Sequence, residues 1–259
     1  MTDLLYQASP WILPTVMLVV LGLAIELPFR LRAAVSLKNP SRDPVNAVQA
    51  GLLTLSAFVL GLSFSQASAR FDARRAVVIA EANAIGTTWL RADQLESADS
   101  KRFRQILTDA TVAGLAVYQS PNDPQLAQRT TARAKRDENQ LWSIASSAFR
   151  ARETIGLSLL LQSVNNLIDV LAQQRQALAG HVPTAIVVLT LCLVTLGALS
   201  LGVRFALDGT RPLMLSIIYV VAYVIVIEMM IDYDRPKTGF VSVSLTPMTE
   251  QLRQMQAGR

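Results

Sequence analysis

The sequence predicts an all-α membrane protein with four transmembrane helices in two hairpins and a long-helix extramembrane bundle between helices 2 and 3. Three observations support this fold class. The 259-residue chain is 51% hydrophobic and 17% charged, whereas an ordinary soluble domain is roughly one quarter charged. Four segments are long and apolar enough to cross a bilayer. Between the second and third segments, charges of both signs return and apolar residues recur at helical spacing.

The first transmembrane hairpin is predicted over residues 1–69. Its first helix takes residues 11–29, where Pro14 lies in the opening turns and Glu26 lies near the end. Its second helix takes residues 45–69, a run without a charged residue. No positively charged segment precedes the first helix and no small-residue cleavage site follows it. The sequence therefore predicts a membrane helix there and not a cleavable signal peptide.

The second transmembrane hairpin is predicted over residues 182–231. Its first helix takes residues 182–203, and Pro183 stands where proline commonly begins a helix. Its second helix takes residues 212–231 and is interrupted only by Glu228. Both runs have about the 20 residues that a spanning helix needs.

Residues 70–181, between the hairpins, are predicted to form a helical extramembrane domain whose helices continue from the second and third membrane helices. Asn122, Asp123 and Pro124 indicate a turn. An unbroken helix from there to Gly180 would be ~80 Å long, so we expect a break or bend within it. The apolar positions that share one helix face are Trp142, Ala145, Phe149, Gly156, Leu160, Leu167, Leu171 and Leu178.

The tail, residues 232–259, is predicted to be a C-terminal strap that packs on the middle domain or on a neighbouring subunit. Val241, Val243 and Leu245 alternate with hydroxyl residues, which favours a short extended segment. Pro247 then begins a small helix. We expect Arg235 to pair with an acidic residue near the membrane.

The composition excludes most kinds of catalytic and metal site. The single cysteine, Cys192, allows no intrachain disulfide, and the single histidine, His181, leaves no catalytic triad and no zinc spacing. No glycine-rich phosphate loop is present. The net charge of +5 is spread over every segment, so it favours anionic lipid headgroups over nucleic acid. We therefore predict no enzyme, no cofactor and no metal site.

The second predicted helix carries small or hydroxylated side chains along one face, with one aromatic residue among them. The members of this heptad stripe are Gly51, Thr54, Phe58, Gly61, Ser65, Ser68 and Asp72. Two interpretations stay open. Small residues let helices pack closely in lipid, and small polar groups with a hydrophobic constriction line pores. Both hold if several copies of the helix surround an axis.

Charged residues follow the stripe where the helix leaves the membrane. Arg70, Arg74 and Arg75 either face lipid headgroups or form a ring of positive charge at a pore mouth. Asp72 opposes that charge, so the sequence does not decide between anions and cations. Further along, Asn83 is predicted to be a buried hydrogen-bonding residue of the helix packing.

Two acidic residues lie near the ends of membrane helices, where such residues are candidates for ion transport. Glu26 precedes Arg30 by four residues, which is the spacing of a helical ion pair. Glu228 lies one turn before Asp232. Each acid therefore has a structural interpretation beside the transport one.

The sequence resembles the bacterial bestrophin-like membrane proteins, a family named as a domain of unknown function and distantly similar to the bestrophin ion channels. The resemblance covers most of the chain. It rests on the phenylalanine- and glycine-rich helix that leads into Arg70–Arg75, on Glu81–Ala84, and on Asp234–Pro236 followed by Gly239. The two stretches that carry it read FVLGLSFSQASARFDARRAVVIAEANAIGTTWLRAD and IDYDRPKTGFVSVSLTP.

The resemblance implies a pentameric channel with cytoplasmic termini and a hydrophobic neck on the second helix. Phe58, Leu62 and Phe64 fall where neck residues are expected. The acidic spacing of the animal calcium clasp is absent after the fourth helix, where Asp232 and Asp234 alone offer too few oxygen ligands. Calcium gating is therefore not predicted.

Two arguments on membrane orientation disagree. Arg30, Arg32, Lys38 and Arg42 follow the first helix with no basic residue before it, which places that loop in the cytoplasm and the middle domain outside. Counted over all helix ends, the basic residues divide evenly between the two sides. The resemblance implies a cytoplasmic middle domain, and we adopt that orientation for a multi-pass protein of the bacterial inner membrane.

The predicted function is an oligomeric ion channel whose axial pore is lined by the second transmembrane helix. The predicted partners are further copies of the chain, the lipid bilayer and small inorganic ions. A membrane-anchored helical sensor or scaffold without a pore is the first alternative. An ion-coupled transporter that uses Glu26 and Glu228 is the second.

Overall fold

A computed structural model describes residues 11–31, 42–119, 124–235 and 241–258. Within these ranges the regular structure is helical, with one short 3₁₀ turn at Ala92–Gln94. The helices are α1 (Ile12–Leu31), α2 (Arg42–Arg91), α3 (Ser97–Gln119), α4 (Pro124–Ala151), α5 (Ile155–Ala179), α6 (Thr184–Asp208), α7 (Leu213–Asp234) and α8 (Thr246–Ala257). The predicted fold class is confirmed.

Four stretches of the described chain are long and apolar enough to cross a membrane. They are Ile12–Leu31, Asp43–Gln94, Ile155–Asp208 and Leu213–Asp234, and each overlaps one of the four predicted spans. Many large apolar side chains on these helices are exposed, as expected where lipid is the solvent. The predicted turn at Asn122 and Asp123, together with Pro236 and Gly239, lies outside the described residues.

The chain divides into two compact units. The membrane unit holds the described residues up to Arg70, residues His181–Arg235 and Val241. The middle unit holds Phe71–Gly180 and the tail from Ser242. Each unit has a hydrophobic core of its own.

In the membrane unit, α1 packs against α6 and α7 around buried Met17, Leu21 and Ile25. Gly202 on α6 lies directly against α1, because a Cβ added there would collide with the backbone carbonyl of Ile25. Small residues permit this close approach between membrane helices. At the C-terminus of α6, Gly209 adopts φ 68°, the left-handed conformation that commonly ends a helix.

Helix α2 is continuous over 50 residues, about 75 Å at 1.5 Å per residue. One of its faces packs within the chain, and we call it the packed face. Its members in the membrane unit are Ser56, Leu60, Ser63 and Ala67, and its members in the middle unit are Arg74, Val78, Glu81, Ala82, Ile85 and Trp89. The spacing of threes and fours identifies them as one helical face.

Two serine hydroxyls join the packed face of α2 to the second hairpin. Ser56 Oγ lies 2.9 Å from the hydroxyl of Tyr223 on α7. Ser63 Oγ lies 3.2 Å from Thr190 Oγ1 on α6. Interhelical hydrogen bonds of this kind help to hold helices together in lipid, where the hydrophobic effect does not.

In the middle unit, α3, α4, α5 and the second part of α2 surround a core that contains Phe103, Leu141, Leu160 and Leu167. The predicted break between α4 and α5 is confirmed at residues 152–154. Thr154 caps α5 by accepting a hydrogen bond from the backbone N–H of Leu157.

The prediction that the middle domain is helically continuous with the third membrane helix is wrong. Helix α5 ends at Ala179 and α6 begins at Thr184, so residues 180–183 interrupt the helix. Pro183 explains the interruption, because proline cannot donate the backbone hydrogen bond that a helix interior requires. Helix α2, by contrast, continues unbroken from one unit into the other.

The C-terminal tail forms the predicted small helix, α8, with Pro247 in its first turn. Met248 and Met255 are buried in the core of the middle unit. Residues 242–245, predicted to be extended, precede α8 without regular structure. The tail therefore packs on the middle unit of its own chain.

Candidate functional site

The stripe predicted on the second helix lies on the exposed side of α2, and we call this side the open face. Phe58 is 62% exposed, and Gly51, Thr54, Gly61, Ser65 and Asp72 are exposed as well. A Cβ added at Gly51 or Gly61 would meet no atom within 4 Å. Within the described part of the chain, these stripe residues are therefore left exposed.

The remaining predicted pore residues divide between the two sides of α2. Leu62 is exposed and extends the open face, whereas Ser68 is half-buried at its edge. Phe64 turns inward, and its ring centroid lies 5.4 Å from that of Tyr233. Phe64 follows Phe58 by six positions, which places the two side chains about 120° apart around the helix. Phe64 therefore lies to one side of the open face, and its place at a pore constriction stays a prediction.

The open face continues along α2 beyond the membrane. Ile79, Asn83 and Leu90 are exposed there, while Ala82 and Ile85 beside them are buried. The prediction that Asn83 is buried within the packing of the chain is therefore wrong. By helical phase, Asn83 lies on the open face of α2 and not on the packed face.

The three arginines that follow the stripe have different environments. Arg74 is 3% exposed, and its guanidinium donates hydrogen bonds to the carbonyl oxygens of Ala177, at 3.1 Å, and Gly180, at 2.6 Å. A buried cation at this place satisfies carbonyls at the C-terminus of α5 and opposes the negative end of its dipole. Arg75 is exposed and Arg70 is half-buried. Arg74 therefore does not lie on the open face, contrary to its predicted place at a pore mouth.

Glu26 forms ion pairs with two arginines. Its Oε1 accepts hydrogen bonds from Arg30 Nε at 2.9 Å and from Arg211 Nη2 at 2.6 Å. The predicted Glu26–Arg30 pair is confirmed, and the guanidinium of Arg211 also lies 4.1 Å from the ring centre of Phe29. Arg30 lies in the last turn of α1 and Arg211 lies shortly before α7, so the cluster links the ends of two membrane helices.

The end of α7 holds a second group of charged side chains. Glu228 Oε1 lies 3.5 Å from Arg235 Nη1, so the predicted pairing of Arg235 with an acid is confirmed. Asp234 accepts a hydrogen bond from the backbone N–H of Val182 at 2.8 Å, and Asp232 accepts one from Val241 at 2.7 Å. These two carboxylates therefore act as backbone acceptors. No group of three metal-binding side chains occurs among the described residues.

A polar cluster in the middle unit was not predicted as a site. Glu81, on the packed face of α2, accepts a hydrogen bond from the side-chain amide of Gln174. The same amide nitrogen donates to the hydroxyl of Tyr118 at 3.0 Å. Glu81 is 5% exposed, and burial raises its pKa to about 7, opposed in part by the hydrogen bond from Gln174. Its spacing from Arg74, Val78 and Ile85 is the sequence signal that identifies it as buried.

No protein-family model and no curated protein sequence matches this chain. Solved structures, however, match it over nearly its whole length. A crystal structure of a bacterial bestrophin homologue from Klebsiella pneumoniae, with a tryptophan-to-alanine substitution, superposes with a TM-score of 0.72 at 16% identity and covers 95% of this chain and 97% of that one. This chain has the fold of that bestrophin homologue.

Two further structures of the Klebsiella pneumoniae bestrophin homologue agree with this result. One with an aspartate-to-alanine substitution gives a TM-score of 0.69 at 17% identity, over 95% of this chain and 98% of that chain. One solved by zinc phasing gives 0.68 at 16% identity, over 95% and 97%. At this identity the likeness concerns the fold.

Proposed function

We propose that this protein is a homo-oligomeric, pentameric ion channel of the bacterial inner membrane, with an axial pore lined by the open face of α2. The observation that carries the proposal is that this face is small and hydroxylated around Phe58, yet it is exposed from Gly51 to Ser65. Polar groups that face lipid are costly. A helix with such a face is therefore expected either to contact other copies of itself or to line water.

Phe58 is the proposed constriction. Its ring projects from the open face among Thr54, Gly61 and Ser65. Five copies around an axis would form one aromatic ring flanked by small and hydroxylated positions. Hydrophobic constrictions of this kind gate pores by excluding water. Leu62, one turn further along, extends the apolar ring.

The proposed pore mouth lies where α2 leaves the bilayer. Arg70, Asp72 and Arg75 remain at this level as partly or fully exposed charges. Charged side chains of either sign in a ring can select ions. The proposed orientation places the middle unit in the cytoplasm, which rests on the resemblance to the bestrophin channels.

Ion flux from liposomes that contain the purified protein tests the proposal. The wild-type protein should be an oligomer and should conduct above the level of empty vesicles. Replacing Phe58 with Ala should increase the leak severalfold, because it removes the constriction. Ile225→Ala is the matched control, since Ile225 is similarly exposed, at 59%, but lies on α7. An oligomer that conducts no more than empty vesicles would contradict the channel proposal.

The sensor or scaffold alternative makes a different prediction about the same face. A dimer in which the open face stays outside any central axis would favour it. The transporter alternative draws no support from the acids on which it depends, since Glu26 and Glu228 both form ion pairs within the chain.

A further inference from the structure

The middle unit contains a cavity of about 200 Å³ between α2, α3, α4 and α5. An apolar cavity of about 150 Å³ accommodates benzene. This cavity therefore has room for one aromatic ring with a short substituent. Its apolar lining includes Ile85, Leu107, Leu141, Leu167 and Leu171.

A carboxyl group forms part of the cavity wall. Glu81, Tyr118 and Gln174 all line the cavity and are joined by hydrogen bonds through the Gln174 amide. Among the described residues, no basic side chain forms an ion pair with Glu81. The carboxyl group is thus buried next to an open space, with an amide and not a cation as its polar neighbour.

The other acidic side chains in the cavity wall have cationic partners. Glu138 accepts a hydrogen bond from Arg175 Nη1 at 2.8 Å. Asp137 lies 3.4 Å from Arg133 Nε. These pairs leave Glu81 as the acid whose charge the described residues do not compensate. The exposed residues Thr131 and Arg175 also line the cavity, so it reaches the surface near them.

We propose that this cavity binds a small organic cation, an amine carried on an apolar body about the size of one aromatic ring. The ammonium group pairs with the Glu81 carboxylate and donates a charge-assisted hydrogen bond to it. The apolar body fills the space between the leucine side chains. The site is separate from the open face of α2, so the binding proposal does not depend on the channel proposal.

The charge of Glu81 gives the proposal a pH signature. Burial raises the pKa of Glu81 to about 7, while an alkylammonium group stays protonated well above this range. The other polar or charged side chains that line the cavity from neighbouring helices include Tyr118 on α3, Asp137 and Glu138 on α4, and Gln174 and Arg175 on α5. Burial also raises the pKa of Tyr118, so Tyr118 stays neutral throughout. A cation that needs the carboxylate should therefore bind about tenfold more tightly at pH 8 than at pH 6.

Titration calorimetry of the full-length protein in detergent, with benzylamine as the probe, tests the proposal. Benzyl alcohol is the neutral comparison and benzoate is the anionic one. Benzylamine should bind with the expected pH dependence, benzyl alcohol should bind more weakly without it, and benzoate should not bind. Glu81→Gln should weaken benzylamine at pH 8 by about tenfold or more. The control Glu96→Gln, at a residue outside the cavity wall, should leave binding unchanged.

A second variant separates binding from folding. Gly114 lines the cavity, and a Cβ added there would meet no atom within 4 Å. Gly114→Leu should fill the space, and leucine favours helix more than glycine does, so the fold should persist while benzylamine binding is lost. Absence of benzylamine binding to the wild type would overturn the proposal. Equal, pH-independent binding of benzylamine and benzyl alcohol, or unchanged binding to both variants, would overturn it as well.

Discussion

The packed face and the open face of α2 are built from similar residues within the membrane but have different surroundings. Ser56 and Ser63 on the packed face are fully buried and hydrogen-bonded to Tyr223 and Thr190. Thr54 and Ser65 on the open face are as small and as polar, yet they are exposed. Residue type alone therefore does not distinguish a face that packs within the chain from one that does not.

The comparison distinguishes side chains whose contacts are made within one chain from side chains that need a neighbouring molecule. A hydroxyl on the packed face contributes to the stability of one folded chain. A hydroxyl on the open face contributes only when another molecule, a second copy or water, lies beside it. Substitutions on the packed face should therefore change the stability of the monomer, whereas those on the open face should change assembly or conduction.

The largest contrast is expected between two neighbouring arginines. Arg74→Ala should lower the free energy of unfolding by about 2 to 4 kcal/mol, because two carbonyls at the end of α5 lose a charged donor. Arg75→Ala, at an exposed position on the same helix, should change it by less than about 0.5 kcal/mol. Thermal or denaturant unfolding in detergent measures both. Equal losses for the two variants would mean that burial does not separate the two arginines.

The next contrast depends on pH. The pKa of Glu81 is raised from 4.5 to about 7 by burial. Between these values the folded chain holds a proton that the unfolded chain has released, so stability falls as pH rises, by about 3 kcal/mol in total. Glu81→Gln should remove this slope. The difference in melting temperature between the two proteins, measured from pH 4 to 8, checks the expectation; a constant difference would contradict it.

The smallest expected effect compares two serines. Ser63→Leu should cost about 2 kcal/mol, because a larger side chain at a fully buried position strains its neighbours. Ser65→Leu, on the open face, should change the unfolding of the single chain by less than about 0.5 kcal/mol. It should instead alter the size of the assembly in size-exclusion chromatography with light scattering. A Ser65 variant that unfolds readily but assembles normally would contradict the expectation that the open face affects assembly and not stability.

Much of the fold follows from local sequence signals. The four spans are evident from their length and their near-absence of charge, and Pro183 and Pro247 mark helix starts. The stripe was recognised from its heptad spacing, which also predicted correctly that its members share one side of α2. A period identifies residues that share a face, whatever the tertiary structure.

The sequence did not reveal which face of α2 packs within the chain and which face stays exposed. The resemblance places Phe64 in the neck, and the charge pattern groups Arg74 with Arg70 and Arg75, yet Phe64 is half-buried and Arg74 is buried within the chain. Asn83 was assigned to the interior and is exposed. The cavity beside Glu81 is lined by side chains from four helices that are far apart in sequence. The residue pattern of one helix therefore cannot predict it.

The second hairpin, α6 and α7, is closed at both ends. At one end the chain turns through Gly209, and at the other the Asp234 carboxylate accepts the Val182 N–H just before α6 begins. The two helices are therefore joined at one end by the covalent turn and at the other end by the hydrogen bond between Asp234 and Val182. Thr210 in the covalent turn is exposed, and exposed turns tolerate insertions. A reporter peptide placed after Thr210 would mark the side of the bilayer on which this turn emerges, while the Asp234 link keeps the register of the pair.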